Sequence, residues 1–104
     1  MIPKEILMSF DDNVNTFRKD EFIFSENDIA RNYYQVAKGA VKMSNFNDDG
    51  KEFIQGIFYK KQSFGEPPLF IDTTYPASAI SLTESEVILI PKLKLLQLLS
   101  EYPD

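Results

Sequence analysis

Apolar and polar positions alternate along most of this chain, in short runs cut by turn residues. The run 40–46 is the clearest. Val41 and Met43 fall on one face and Lys42 and Ser44 on the other, as a half-buried strand requires. Asn47-Asp48-Asp49-Gly50 follows, and Asp-Gly supplies the positive φ of a tight hairpin. Residues 51–59 are therefore predicted to return as the partner strand, with Gly56 at a bulge or a close approach. Segments 14–18, 22–24, 33–37, 77–83 and 86–90 read as further strands, because β-branched and aromatic residues dominate them. Lys19-Asp20-Glu21, Ser25-Glu26-Asn27-Asp28, Lys38-Gly39 and Glu84-Ser85 are the turns between them, and Asn27 suits a left-handed conformation.

The period changes at the two ends. Ile6, Leu7 and Phe10 share one face of a short helix over 2–12, with Pro3 early in it. Leu93, Leu96 and Leu99, with Leu95 and Leu98, form a wide apolar stripe on a second helix. Pro91 suits its first position, and Pro103 stops it near Tyr102. Such a stripe packs first on its own domain, with some leucines left for a second copy or a following helix. Short strands at regular spacing, with helices at the ends, predict a mainly β fold. Its form is an antiparallel β-roll, or double-stranded β-helix (jelly roll), with short flanking α-helices. A length of 104 residues allows one such domain, over 1–104, with one core.

The stretch 63–82 breaks the pattern. Phe64-Gly65-Glu66 is followed by two prolines, and Pro76-Ala77-Ser78-Ala79 is a run of small residues. That composition suits a backbone curled around something small. Tyr33, Tyr34, Phe53 and Phe58 are aromatic candidates for the wall of such a pocket, or simply core and cross-strand pairs.

Composition removes several chemistries. The chain has no cysteine, which excludes disulfides, thiolate metal sites and iron–sulfur clusters held within it. It has no histidine, the commonest general base and metal ligand, so a cupin-type metal enzyme is set aside and no catalysis is expected. Net charge is -5 and no basic patch stands out, so these residues are not expected to grip nucleic acid directly. No apolar run reaches the ~18 residues of a membrane-spanning helix. The cytoplasm is the default expectation. Asn45 to Gly50 imitates the start of a calcium loop, but the twelfth position is Gly56 rather than Glu, and a hairpin turn explains the segment.

Taken in order, a series of segments resembles a cyclic nucleotide-binding domain. The segments are 17–28, Tyr34-Gln35-Val36, Lys38-Gly39-Ala40-Val41-Lys42, Asp49-Gly50-Lys51-Glu52 and Phe64-Gly65-Glu66-Pro67-Pro68-Leu69-Phe70. Ala77-Ser78-Ala79-Ile80, Ser85-Glu86-Val87 and Ile90-Pro91-Lys92 complete it. Within that superfamily the chain is most similar to the N-terminal sensory domain of Crp/Fnr-type bacterial transcription regulators. The resemblance implies a β-roll whose segment 64–78 is a phosphate-binding cassette. Gly65 would offer a backbone amide to the ligand and Glu66 would accept from a ribose 2′-hydroxyl. Phe64, Ala77 and Ser78 complete the expected ligand contacts. Glu66 has a second reading, as a carboxylate that merely caps the helix after it.

One position departs from the family. Eleven residues after the cassette glycine the family places an arginine that pairs with the cyclic phosphate, and here that position is Pro76. The nearest hydroxyls are those of Thr73, Thr74, Tyr75 and Ser78, and the chain's arginines are Arg18 and Arg31, outside the cassette. A buried phosphate needs a countercharge or several donors. The resemblance therefore implies a cyclic nucleotide as effector, while Pro76 argues for another ligand; no cofactor or metal is expected. The partners implied are a small-molecule effector, a second copy of the chain, and DNA only through a C-terminal domain of a longer regulator. The competing expectation is a structural or protein-interaction module whose cassette stays empty.

Overall fold

In the computed structural model, residues 13–71 and 73–101 are described. The helix expected over 2–12 and the helix end near Tyr102 lie outside them. Among the described residues, eight strands and two helices follow one another. They are β1 (Val14–Phe17), β2 (Phe22–Phe24), β3 (Asn32–Lys38), β4 (Ala40–Phe46), β5 (Glu52–Tyr59), β6 (Ser63–Phe64), α1 (Glu66–Phe70), β7 (Ser78–Ser81), β8 (Ser85–Pro91) and α2 (Lys92–Glu101). They make two antiparallel four-stranded sheets, ordered β1-β8-β3-β6 and β2-β7-β4-β5. This is the mainly β roll with short helices that the alternation predicts.

The turns behave as their residues dictate. Asn47 organises the β4–β5 hairpin, its side-chain oxygen accepting from the N–H groups of Asp49 and Lys51 at 3.0 and 2.9 Å. Gln55 is the extra residue of a bulge, since Met43 faces Gly56 while Ser44 faces Ile54. On the outer face of this pair Lys42 meets Glu52 at 2.8 Å. Lys42, with help from the Ser44 hydroxyl, holds the Glu52 carboxyl below its ordinary range.

Two details differ from the sequence expectation. Strand β6 was not anticipated; it exists through its pairing with Tyr34 and Gln35 of β3. Pro91 ends β8 opposite Asn32 instead of opening the helix. A proline at a strand's last position removes no ladder bond that the strand needs. The leucine stripe of α2 also divides. Leu95 and Leu98 are buried against the sheet formed by β3 and β8, while Leu93, Leu96 and Leu99 are exposed, Leu93 at 81%.

A row of aromatic rings runs through the core. Tyr75 stacks on Phe24 with ring centroids 3.6 Å apart. Phe24 meets Tyr34 at 5.4 Å, and Tyr34 stacks on Phe64 at 5.4 Å. Phe64 meets Phe58 at 6.0 Å, which carries the row of rings from one sheet to the other. The Tyr75 hydroxyl is buried without a hydrogen-bond partner. Burial raises its pKa, and nearby Tyr34 and Asp28 add to the rise. Removing an unpaired buried hydroxyl leaves nothing unsatisfied behind. Tyr75→Phe is therefore expected to leave stability unchanged or to raise it by about 1 kcal/mol, as thermal unfolding of the two proteins would show. A clear loss of stability would mean that the hydroxyl has a partner in solution.

Candidate functional site

The segment between β6 and β7 crosses from one sheet to the other, and this crossing creates the site. β6 pairs with β3, whereas β7 pairs with β2 and β4. Gly65 turns the chain at φ 73°. A Cβ placed there would lie 3.0 Å from Tyr75 Cε1 and 3.1 Å from Phe24 Cζ. Both the left-handed backbone and the close approach of the rings therefore require glycine. α1 then begins at Glu66, is closed by a bond from the Thr73 N–H to the Pro68 carbonyl at 3.1 Å, and is anchored by the fully buried Leu69. The return leg zips onto the turn after β2. Tyr75 donates to the Asp28 carbonyl at 3.0 Å, Asn27 donates to the Tyr75 carbonyl at 2.9 Å, and Ile29 bridges Thr74.

Beneath this segment lies a cavity of about 670 Å³. Its walls include Met43, Phe58, Phe64, Gly65, Glu66, Thr73, Thr74 and Pro76. A second cleft of about 380 Å³ adjoins it, sharing Met43, Phe58 and Pro76 and adding Asn45, Gln55, Gly56 and Ala77. A space of this size, apolar on most sides with a few convergent polar groups, is what a small-molecule site looks like.

Glu66 accepts a hydrogen bond from the Ser63 hydroxyl through Oε1. Behind Ser63 sits the buried Tyr33, whose hydroxyl donates to Gln35 Oε1 at 2.7 Å. Burial pushes the Tyr33 phenol up to about 12, against the opposing hydrogen bond with Ser63, and the charge of Glu66 pushes the same way as burial. Burial likewise raises Tyr34, opposed by Asn32 and aided by Asp28. Glu66 is thus joined through Ser63 to the interior of β3. The side chain does more than begin a helix.

Four of the five expected contact residues line the space: Phe64, Gly65 and Glu66 the main cavity, and Ala77 the adjoining cleft. Ser78 stands behind it. Its side chain is buried and its Oγ accepts from the Glu26 N–H at 2.9 Å. Of the four aromatic candidates only Phe58 is a wall. Tyr33 and Tyr34 are core, and Phe53 is exposed, with Lys51 Nζ 5.4 Å from its ring centroid.

Sequence reasoning missed Asn45 and Gln55. Gln55 Nε2 donates to Asn45 Oδ1 at 3.0 Å. Asn45 Nδ2 donates to Glu26 Oε1 at 2.9 Å and to the Pro76 carbonyl at 2.7 Å. The Asn45 side chain ties the hairpin to the exit of the crossing segment, at the position where the family carries its arginine. The Gln55 bulge brings the two amides together, and the Gly56 that accompanies it was the available signal.

Comparison with known proteins agrees with this geometry. A family described as "Cyclic nucleotide-binding domain" matches residues 14–102. The global nitrogen regulator of Synechocystis is 32% identical over 88% of this chain and 41% of its own length. The catabolite activator protein of Thermus thermophilus superposes with a TM-score of 0.84 at 22% identity, over 99% of this chain and 49% of that one, a likeness of fold. A c-di-GMP-responsive global regulator of Xanthomonas campestris superposes with a TM-score of 0.76 at 27% identity, over 84% of this chain and 42% of that one. The chain spans about half the length of the curated relatives it matches.

Proposed function

The chain belongs to the cyclic nucleotide-binding domain family, and from that premise we propose that it is the sensory domain of a Crp/Fnr-type transcription regulator. It binds a small effector in the cavity under the 63–78 segment and so controls a DNA-binding domain that follows it. The observation that carries this reading is the cavity itself, formed under the crossing segment with Gly65 and Glu66 at its rim. Its likeness to regulators that span about twice its length supports the regulatory half.

The effector acts by shifting a population, without chemistry. A ligand can bias two states only through contacts that differ between them. Contacts with Phe64 and Glu66 fall on β6 and the start of α1. β6 pairs with β3, β3 pairs with β8, and β8 runs directly into α2. Two strands, β3 and β8, therefore link the ligand site to α2. The exposed Leu93, Leu96 and Leu99 offer an apolar face to a following helix or to a second copy.

A second reading, an unused cassette kept as a structural module, draws on one observation: Pro76 brings neither charge nor N–H to the cavity wall. Calorimetry against a panel of nucleosides and cyclic nucleotides separates the two. The sensor reading expects saturable binding that Glu66→Ala weakens about 10- to 100-fold, the value of about 1.5–3 kcal/mol for a hydrogen bond to a charged group. Absence of heat and of any thermal shift across the panel supports the structural module instead.

A further inference from the structure

We infer that the effector carries no phosphate and is an uncharged nucleoside, an inference that rests on the sensor reading above. Among the described residues lining the cavity and its adjoining cleft, Glu66 alone is charged, and its charge is negative. A second carboxylate, Glu26, lies one hydrogen bond beyond Asn45. Arg18 and Arg31 are exposed and line neither space. Backbone N–H groups of Gly65, Glu66 and Ala77 belong to the wall, but part of the usual backbone supply is missing. An anion is commonly held by the N–H groups where a helix begins, but here the residues after Glu66 are Pro67 and Pro68, and Pro76 also lines the cavity. None of these three prolines has an N–H to give.

What the site does offer is neutral hydrogen bonding. Thr73, Thr74 and Gln55 line it, beside Ser63 and Asn45, whose donors are already engaged by Glu66, Glu26 and the Pro76 carbonyl. Ser63 occupies one oxygen of Glu66. A carboxylate has two, so the other can accept from a sugar hydroxyl. Met43, Phe58 and Phe64 give an apolar surface for a flat base. A nucleoside presents these groups and no formal charge. A cyclic phosphate would bring a second negative charge into a space where nothing compensates the first, and an unpaired buried charge is among the costliest contacts in recognition.

Adenosine and cAMP share the base and the 2′-hydroxyl and differ at the 3′- and 5′-oxygens, free hydroxyls in one and bridged by the phosphate in the other, which makes them the probes. Calorimetry on the intact chain is expected to show adenosine binding at least about 10-fold more tightly than cAMP. Glu66→Gln is expected to narrow that gap, because the carboxylate no longer repels the phosphate. If cAMP binds as tightly as adenosine or more tightly, this inference is overturned while the sensor reading stands. If neither probe binds saturably, this inference falls, and the sensor reading falls with it when the wider panel also gives no binding.

Discussion

Pro76→Arg is expected to raise the affinity for cAMP by about one to two decades. The gain comes from supplying a countercharge that the described residues of the cavity wall lack. A desolvated charge pair between protein and ligand is worth about 2–5 kcal/mol when one partner is removed, which sets the upper end. Two features of this site lower it. Glu26 stands within reach of the same corner, bound to Asn45, and would compete for a guanidinium. Pro76 is also exposed, so the new side chain begins in water and pays to leave it. The double variant Pro76→Arg with Glu26→Gln should therefore exceed the single one. Affinity for adenosine should change little, because it has no anion for the arginine to meet. Calorimetry with both ligands on both variants is the measurement. An arginine that helps neither ligand would show that position 76 does not face the bound effector.

The second large effect is on stability. Gly39 joins β3 to β4 with φ 91°. A Cβ there would lie 2.6 Å from the Glu84 carbonyl oxygen and 2.5 Å from Ser85 Oγ. The first of these is backbone, and the second is held because Ser85 Oγ accepts from the Ala40 N–H at 3.2 Å. Neither can move cheaply. Left-handed strain and the forced displacement together make Gly39→Ala worth about 3 kcal/mol of destabilisation, near 12–20 °C in Tm for a domain of this size. Gly56→Ala is the matched control. Its added Cβ would sit 3.5 Å from the Phe58 ring, an ordinary contact, and its φ is not in the left-handed region. It should melt within a few degrees of the parent, by about 1 kcal/mol or less. Equal losses at the two positions would contradict the turn geometry.

Most of the roll was legible because strand alternation is a local signal. Val41 and Met43 face inward and Lys42 outward, as their order requires. The Asn47–Gly50 turn and Asn27 took the conformations their side chains favour. Strand β6 was not legible, since two residues show no period and pairing with β3 alone defines it. The leucine stripe misled for a similar reason. Five leucines in seven positions cover both faces of a helix, and only contact with β3 and β8 selects Leu95 and Leu98 for burial.

The site divides along the same line. Phe64, Gly65 and Glu66 are one contiguous motif and line the main cavity, while Ala77, eleven positions after Glu66, lines the adjoining cleft. Asn45 and Gln55 belong to it through a cross-strand bulge, which only the register reveals. Ser78 carries the right chemistry, but its hydroxyl is taken by the Glu26 amide. The charge of the cavity was half legible. Pro76 could be read directly, while the lack of a cation among the described wall residues depends on where Arg18, Arg31 and Lys42 end up in the fold.

An effector bound between the crossing segment and the β4–β5 hairpin, as proposed, should be sensed at α2. Amide NMR of the labelled chain, titrated with adenosine and with cAMP, tests it most directly. The account predicts saturable shifts at Phe64, Gly65, Glu66, Phe58 and Thr74 that track the calorimetric Kd, with smaller shifts reaching Leu95 and Leu98. Saturable shifts confined to residues away from the cavity, such as the exposed leucines of α2, would contradict it.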